Sequence, residues 1–395
     1  MADIELPNML QRVETRRSGH FKFQVGVDAN SINVIYQRVG DAYERFQRSP
    51  LSQVANQLER EVVVSSIFGT NSIEGGQLSE EETNAAYDLD PATVQEIEQR
   101  RAVNIKEAYS LAAEQAIQTN WSLSINYIKQ LHVFITDQLP DEHNVPGEFR
   151  NNPEGITTYV GNKDHGGQYK PPQNLADIQL LMDGLIDWHA ELVVNQVPAM
   201  IRAPLIHYYY ELIHPFWDGN GRVGRVLEAS ILLHDGFRYA PFAQARYYLE
   251  HIHHYFTLFN TCRKTADKKQ PSPNTPFVEF YLEGMLTSIN RLHDRVNRLV
   301  EESLFKNKLA DSLTHKDIND RQYAIATHVL ESRLPVPLRE MRKEAWYVPM
   351  YAKLTDKTKQ RDLAKLQSLR LVQVDGKRQL WPGHMVIPQE ESDKN

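Results

Sequence analysis

A twelve-residue stretch restricts this chain more than any other: His214-Pro-Phe-Trp-Asp-Gly-Asn-Gly-Arg-Val-Gly-Arg225, set between two helical runs, Ala199–Ile213 and Gly221–His234. His214 ends the first run, and a short loop holding Gly219 and Gly221 leads into the second. Glycines let backbone N–H groups approach a ligand closely. A helix N-terminus adds unpaired donors and the positive end of the helix dipole. Together these make an anion site. Arg222 and Arg225 are three residues apart, so they share a helical face and can hold further phosphates. Asp218 offers a hard oxygen ligand for Mg2+. His214 suits base work, because a histidine titrates near neutrality. Phe216 reads as a core anchor for the loop. An ordinary glycine turn with surface arginines would not need eight apt positions among twelve residues.

Helical periodicity dominates elsewhere. Leu51–Phe68 repeats apolar residues at three- and four-residue spacing, as a helix with one buried face does. Ser79 before Glu80, Glu81 and Glu82 reads as a capped helix start, with the acidic segment running to Tyr87. Further helices are expected over Pro91–Gln115, over Ser122–Leu139 with Ser122 as N-cap, over Asn174–Val193 and over Phe277–Leu309. Pro204 should lie near the start of the Ala199–Ile213 helix or bend it. Pro271, Pro273 and Pro276 mark a loop. The segment Pro146–Pro172 combines five glycines with β-formers and reads as a hairpin or ordered loop. Beyond Leu309, helices are expected over Asp320–Ser332, Leu338–Lys343 and Asp356–Leu369. Strands Leu371–Val374 and Arg378–Trp381 then flank Asp375-Gly376, a hairpin signal. That order resembles a winged helix-turn-helix. Gln389–Asn395 reads as a solvated tail.

The loop matches the Fic family motif, His-x-Phe-x-Asp/Glu-Gly-Asn-Gly-Arg-x-x-Arg, at every defined position, and the chain is similar to that family over roughly Leu51–Leu309. The resemblance implies that His214 is the base that deprotonates a target hydroxyl. Asp218 would hold Mg2+ between the α- and β-phosphates of ATP. Asn220 and the N–H groups of Gly219 and Gly221 would form the α-phosphate hole. Arg222 would meet the β-phosphate and Arg225 the γ-phosphate, with Val223 and Gly224 completing the ATP-binding loop. Attack at the α-phosphorus would expel pyrophosphate and leave AMP on a Ser, Thr or Tyr hydroxyl of a protein. The implied activity is that of a protein adenylyltransferase. Removal of AMP by the same site, or use of another nucleotide, stays open, as do self-modification and a homodimer. The target protein is not legible in the sequence.

Two further segments resemble family features. Thr157–Gly161, with Thr158, Tyr159, Val160 and Gly161, is similar to one strand of the flap that holds the target by β-pairing, and Gln168–Pro172 to the return strand. An ordinary surface hairpin is the alternative. Thr70-Asn-Ser-Ile-Glu-Gly75, after the helix ending near Phe68, resembles the inhibitory motif Ser/Thr-x-x-x-Glu-Gly/Asn. Glu74 would then pair with Arg225 and occupy the γ-phosphate position. The competing reading is a helix start, with Thr70 or Ser72 capping and Glu74 in the first turn. Tyr255 resembles an aromatic position lining the adenine pocket, with core packing as its alternative. His207 and Tyr208-Tyr209-Tyr210 read as packing residues. His251, His253 and His254 do not share one helical face and read as a solvated helix end rather than a metal site.

Composition sets the outer limits. The net charge of −7 over 395 residues argues against a general nucleic-acid binder. Yet His315–Leu380 carries fourteen Lys and Arg against eight Asp and Glu, so a DNA-binding regulator remains the rival reading. No run of eighteen apolar residues appears, so no membrane span is expected. Met1–Gln11 shows no secretion signal, and the single cysteine, Cys262, cannot form an internal disulfide. A cytoplasmic location is expected. The expected fold class is mainly α: a helical segment at 1–110 with the inhibitory motif, a Fic-type core with a β-hairpin flap at 111–310, and a winged helix at 311–390.

Overall fold

A computed structural model describes residues 3–50, 54–332 and 335–387. The fold is mainly helical, and none of the described helices is long and apolar enough to cross a membrane. The chain parts into two compact units between Asp294 and Arg295. The expected division at 110/111 does not separate compact units, because helices from both sides of it pack into the first unit. The expected start of a helix at Leu51 and the tail Gln389–Asn395 lie outside the described residues.

The first unit opens with a hairpin that periodicity did not reveal. Strands β1 (Leu10–Glu14) and β2 (His20–Gln24) pair antiparallel, Leu10 opposite Gln24 and Glu14 opposite His20. The carboxylate of Asp177 holds their turn by accepting from the amides of Arg16, Arg17 and Ser18 and from the Ser18 hydroxyl. Helix α1 (Ala29–Gln47) follows, capped by Asp28, and was likewise not read from the sequence. Helix α2 (Ala55–Ile73) continues five residues beyond the expected end at Phe68. Helix α3 (Glu80–Ala86) carries the full capping box of Ser79 and Glu82. Helix α4 (Ile97–Gln115) starts later than expected. Helix α5 (Ile125–Thr136) is capped by Ser124 rather than Ser122 and stops at Thr136.

A short antiparallel ribbon, β3 (Val160–Asn162) and β4 (Gly167–Tyr169), occupies the glycine-rich segment. Its strands are shorter than the expected Thr157–Gly161 and Gln168–Pro172. Then come α6 (Leu175–Val194), α7 (Ala199–Ile213), α8 (Asn220–His234), α9 (Ala240–Glu250), α10 (Ile252–Asp267) and the long α11 (Thr275–Thr314). Every residue of α7 is buried, as are nearly all of α8. A helix apolar on all sides belongs in a core. This pair is that core, and α4, α5, α6 and α9 pack around it. Gly224 permits the close approach of α8 to α7: a Cβ there would lie 2.8 Å from the His207 ring and 2.9 Å from the Glu211 carboxylate. Gly69 does the same for α2 against α9.

The second unit contains α12 (Asp320–Glu331), β5 (Val336–Pro337), α13 (Leu338–Met341), α14 (Tyr347–Tyr351), α15 (Asp356–Ser368), β6 (Val372–Val374) and β7 (Gln379–Pro382). The three strands form one antiparallel sheet in the order β5-β7-β6. Its own core gathers Ile325, Val329, Tyr351, Leu366, Leu371 and Leu380.

His132, on α5, is the peg that fixes the loop between α7 and α8. Its Nδ1 accepts from the Gly147 amide at 2.8 Å, so the proton resides on Nε2, which donates to the Asp218 carbonyl at 3.0 Å. The ring stacks on Phe216 with centroids 3.6 Å apart. Burial pushes the ring down to about 4, and a second proton would meet the Gly147 N–H. His189, also buried and beside Arg202, falls to about 3.

Two outcomes are expected. Gly69→Ala places a Cβ 2.9 Å from the Ala245 carbonyl, against backbone that cannot turn aside. Overpacking of this kind costs about 1–3 kcal/mol, so the thermal midpoint should fall despite alanine's higher helix propensity. An unchanged midpoint would show that α2 and α9 separate freely. Secondly, the unfolded chain binds protons at His132 and His189 below the ordinary value of 6.5, while the folded chain does not until about 4 and about 3. The stability these rings contribute is therefore complete above pH 6.5 and is lost on acidification. The loss is about 1.4 kcal/mol per pH unit and group within that window. Urea unfolding at pH 7 and pH 5 should show a smaller difference for His132→Gln than for the parent.

Candidate active site

His214 terminates α7 in the left-handed region, at φ 50° and ψ 63°. Glycine is the usual residue there, so a histidine in that position carries local strain of order 1 kcal/mol. Its N–H still bonds the Tyr210 carbonyl at 2.9 Å, and its carbonyl accepts from Arg150 Nε at 2.7 Å. Arg150 is entirely buried and also donates from its amide to the Pro215 carbonyl and from its guanidinium to the Pro172 carbonyl. One side chain thus joins the His214 turn to the end of the ribbon segment. Burial lowers its guanidinium to about 10, still protonated at neutral pH. The His214 ring remains 20% exposed, with Nδ1 3.5 Å from Glu211 Oε2. That distance is electrostatic contact, too long for a hydrogen bond.

The loop beyond His214 is braced from inside. The Asn220 side chain accepts from the Phe216 amide at 3.0 Å and donates to the Phe216 carbonyl at 2.9 Å. Its amide group therefore braces the loop from within. Gly219 sits at φ 80°, where other side chains are strained. The Val223 N–H closes the first helical bond to Gly219 at 2.9 Å. Val223 is buried, and Gly224 packs on His207 and Glu211. The backbone N–H groups of Asn220, Gly221 and Arg222 are left at the start of α8, the end that attracts anions.

Around that mouth stand two buried arginines and two carboxylates. Arg222 donates to Asp218 at 2.6 Å, while its Nε and Nη1, fully enclosed, have no partner among the described residues. Arg225 donates to Glu74 Oε1 at 2.6 Å and to the hydroxyl and carbonyl of Thr70, each at 3.3 Å. The Glu74 carboxylate lies directly over Gly221, whose place any side chain would contest. Burial would raise the Glu74 carboxyl, but the guanidiniums of Arg225 and Arg222 outweigh it and hold it below the usual carboxylate range. Asp218 behaves alike: burial opposes ionisation and Arg222 restores it. Burial would lower Arg225, and Glu74 reverses this, so the guanidinium stays charged.

Thr70–Gly75 is not a helix start. Thr70 to Ile73 form the last turn of α2, and Gly75, at φ 82°, follows its end. Thr70 and Glu74 are four residues apart on one face, which brings both to Arg225. A carboxylate at a helix C-terminus faces the negative end of its own dipole. Glu74 instead faces the positive end of α8.

Tyr255 is buried against these groups. Its hydroxyl lies 3.5 Å from Arg225 Nη1 and 3.0 Å from His207 Nε2, and His207 Nδ1 meets Glu228 at 2.7 Å. His207 is a core histidine, and all three of Tyr208, Tyr209 and Tyr210 are buried. In the ribbon, Val160 pairs with Tyr169 and Gly161 with Gln168. Thr158 is fixed by Asn152 and Gln173, and Tyr159 is 58% exposed. The ribbon tip is clamped to α10: Asn260 donates to the His165 and Gly167 carbonyls and Lys264 to Gly166. His253 meets His165 at 3.0 Å, and no group of three or more metal-suited side chains gathers among the described residues. Cys262 is buried, and burial pushes its thiol up. Arg150, His132 and Asn260 escaped the sequence reading because their roles exist only through contacts distant in the chain.

Comparison with known proteins agrees with this geometry. Residues 122–232 match the model of the Fic/DOC family. A protein adenylyltransferase Fic of Nematostella vectensis is 28% identical over 185 residues, 45% of this chain and 39% of that protein. A probable protein adenylyltransferase of Aquifex aeolicus is 33% identical over 85 residues, 21% of this chain and 25% of that protein. The chain thus spans less than half the length of these relatives. Among solved structures, a Fic family protein of Desulfovibrio desulfuricans superposes with a TM-score of 0.53 at 18% identity, over 91% of this chain and 97% of its own. A Fic domain containing signaling protein of Bacteroides thetaiotaomicron gives 0.53 at 17% identity, over 67% and 96%. Residues 122–232 are thus similar in sequence to the Fic/DOC family, and the fold resembles that of these two solved structures.

Proposed function

We propose that this chain transfers AMP from ATP to a hydroxyl of a target protein, and that Glu74 restrains the transfer. One observation carries the reading: enclosed, partly unpartnered arginine donors converge on a helix N-terminus over which a carboxylate from another helix is laid. Such a site is built for an anion with several oxygens. The names of the relatives, protein adenylyltransferases, support this choice among phosphate chemistries.

In this reading His214 takes the proton from the target hydroxyl. Its oxygen then bonds to the α-phosphorus, the bond from that phosphorus to the bridging oxygen breaks, and pyrophosphate leaves. The open amides of α8 and the two free donors of Arg222 hold the phosphate oxygens. Arg225 holds the terminal phosphate once Glu74 is displaced. Asp218, 42% exposed, keeps lone pairs beyond those bound by Arg222. A single carboxylate beside a polyphosphate suits Mg2+, which takes few protein ligands and completes its shell with phosphate oxygens and water. The metal would neutralise charge on the phosphates. The ribbon edge near Thr158–Gly161 would align the target segment by backbone pairing.

Labelled-AMP incorporation tests the reading. His214→Ala should lose about 10²- to 10⁴-fold of transfer while retaining ATP binding. Glu74→Gly should gain roughly ten- to a hundredfold, because a charge-assisted pair of about 1.5–3 kcal/mol no longer competes with the terminal phosphate. Adding Arg225→Ala should abolish that gain. Equal incorporation by parent and Glu74→Gly would overturn the restraint, and undiminished transfer by His214→Ala would overturn the mechanism.

A further inference from the structure

The second unit concentrates positive charge on an acid-free helix face. Its segment His315–Leu380 carries six more Lys and Arg than Asp and Glu, in a chain whose total is −7. The order α12, β5, α13, α14, α15, β6, β7 with sheet order β5-β7-β6 is that of a winged helix-turn-helix. In a helix-turn-helix the second helix of the motif enters the major groove.

Helix α15 has a sharply divided surface. Leu366 and Asp362 are buried, and Asp362 pins the helix to its neighbours through Arg321, Gln322 and Tyr351. On the opposite side Lys357, Gln360, Arg361, Ala364, Lys365 and Ser368 are exposed. They follow one another at spacings of one, three or four, so they share a stripe. No carboxylate interrupts it. Asp356 lies to one flank, paired with Lys359 at 2.9 Å. Lys357, Arg361 and Lys365 have no carboxylate within 4 Å among the described residues. The stripe is about 16 Å long at about 1.5 Å per residue, and small Ala364 at its middle permits close approach.

The β6–β7 turn adds to this charge. The Asp375 carboxylate is used internally, accepting from the Lys377 and Gln379 amides and from the Trp381 indole. The exposed side chains of the turn are then Lys377 and Arg378. A protein partner would be expected to bury an aromatic or aliphatic anchor, and the stripe has none. Its mixture of cations with Gln360 and Ser368 suits phosphates flanking base edges.

We propose that the second unit binds duplex DNA, with α15 in the major groove and the β6–β7 turn on the adjacent backbone. This stands apart from the adenylyl-transfer reading and shares no residue with it. The full chain would be titrated into a fluorescein-labelled mixed-sequence duplex between roughly 50 and 200 mM NaCl, followed by anisotropy. Five cations on phosphates give a slope of log affinity against log salt of about −4.5, at about −0.9 each. Lys357→Ala, Arg361→Ala and Lys365→Ala combined should reduce the slope to about −2 and weaken binding at least tenfold. All three side chains are exposed, so the thermal midpoint should not move. Absence of binding at the lowest salt overturns the proposal. So does a triple variant that keeps the parent's affinity and slope with an unchanged midpoint.

Discussion

Two guanidiniums enclosed at the start of one helix govern the rest of this structure. Arg222 is 0% and Arg225 3% exposed, and both stand where the dipole of α8 is positive. An uncompensated buried charge destabilises a fold by several kcal/mol. The chain answers with Asp218 on Arg222 and Glu74 on Arg225, each at 2.6 Å. The compensation is incomplete, because two nitrogens of Arg222 have no partner among the described residues.

The loop that carries these charges is itself held in place. Three devices fix it from different directions. Asn220 closes on the Phe216 backbone from within, His132 ties the Asp218 carbonyl to α5, and Arg150 ties the His214 carbonyl to Pro172. Each uses a buried polar group with its bonding capacity assigned, and such groups specify one geometry over its neighbours. The left-handed turn at His214 follows from this bracing. The loop geometry is over-determined, so the strain at one residue is tolerated and the ring is aimed outward beside Glu211.

The sequence made the centre of this arrangement legible and left its supports hidden. The loop from His214 to Arg225 could be read because its chemistry is local: glycines, a helix start and charges at helical spacing. Glu74 could be linked to Arg225 through a motif, although the helix before it runs five residues past its expected end at Phe68 and takes in Thr70. Thr70 is buried against Arg225, a contact 155 residues away that periodicity cannot register. The same blindness concealed β1, β2 and α1, whose hold on the core runs through Asp177 and other distant partners. The resemblance implied a phosphate role for Asn220, and its bonds to the Phe216 backbone, set by the fold of the loop, were not legible.

In the proposed reading two anions, Glu74 and a nucleotide phosphate, would compete for Arg225, and they differ in what their departure would release. Glu74 directly follows the last turn of α2, where its charge opposes the helix dipole. Its pairing with Arg225, the bonds of Arg225 to Thr70, the bond of Arg101 to the Glu74 carbonyl and the packing of Gly69 on α9 all hold that end in place. A phosphate that took Arg225 would therefore remove one restraint among several on the end of α2. By linkage, whatever holds the end of α2 against α9 must weaken terminal-phosphate binding by the same factor. The residues facing Glu74 would thus set nucleotide affinity from outside the phosphate loop. A partner that pulled on α2 would act on the active site without touching it, and its leverage could not exceed the free energy of the one ion pair it breaks.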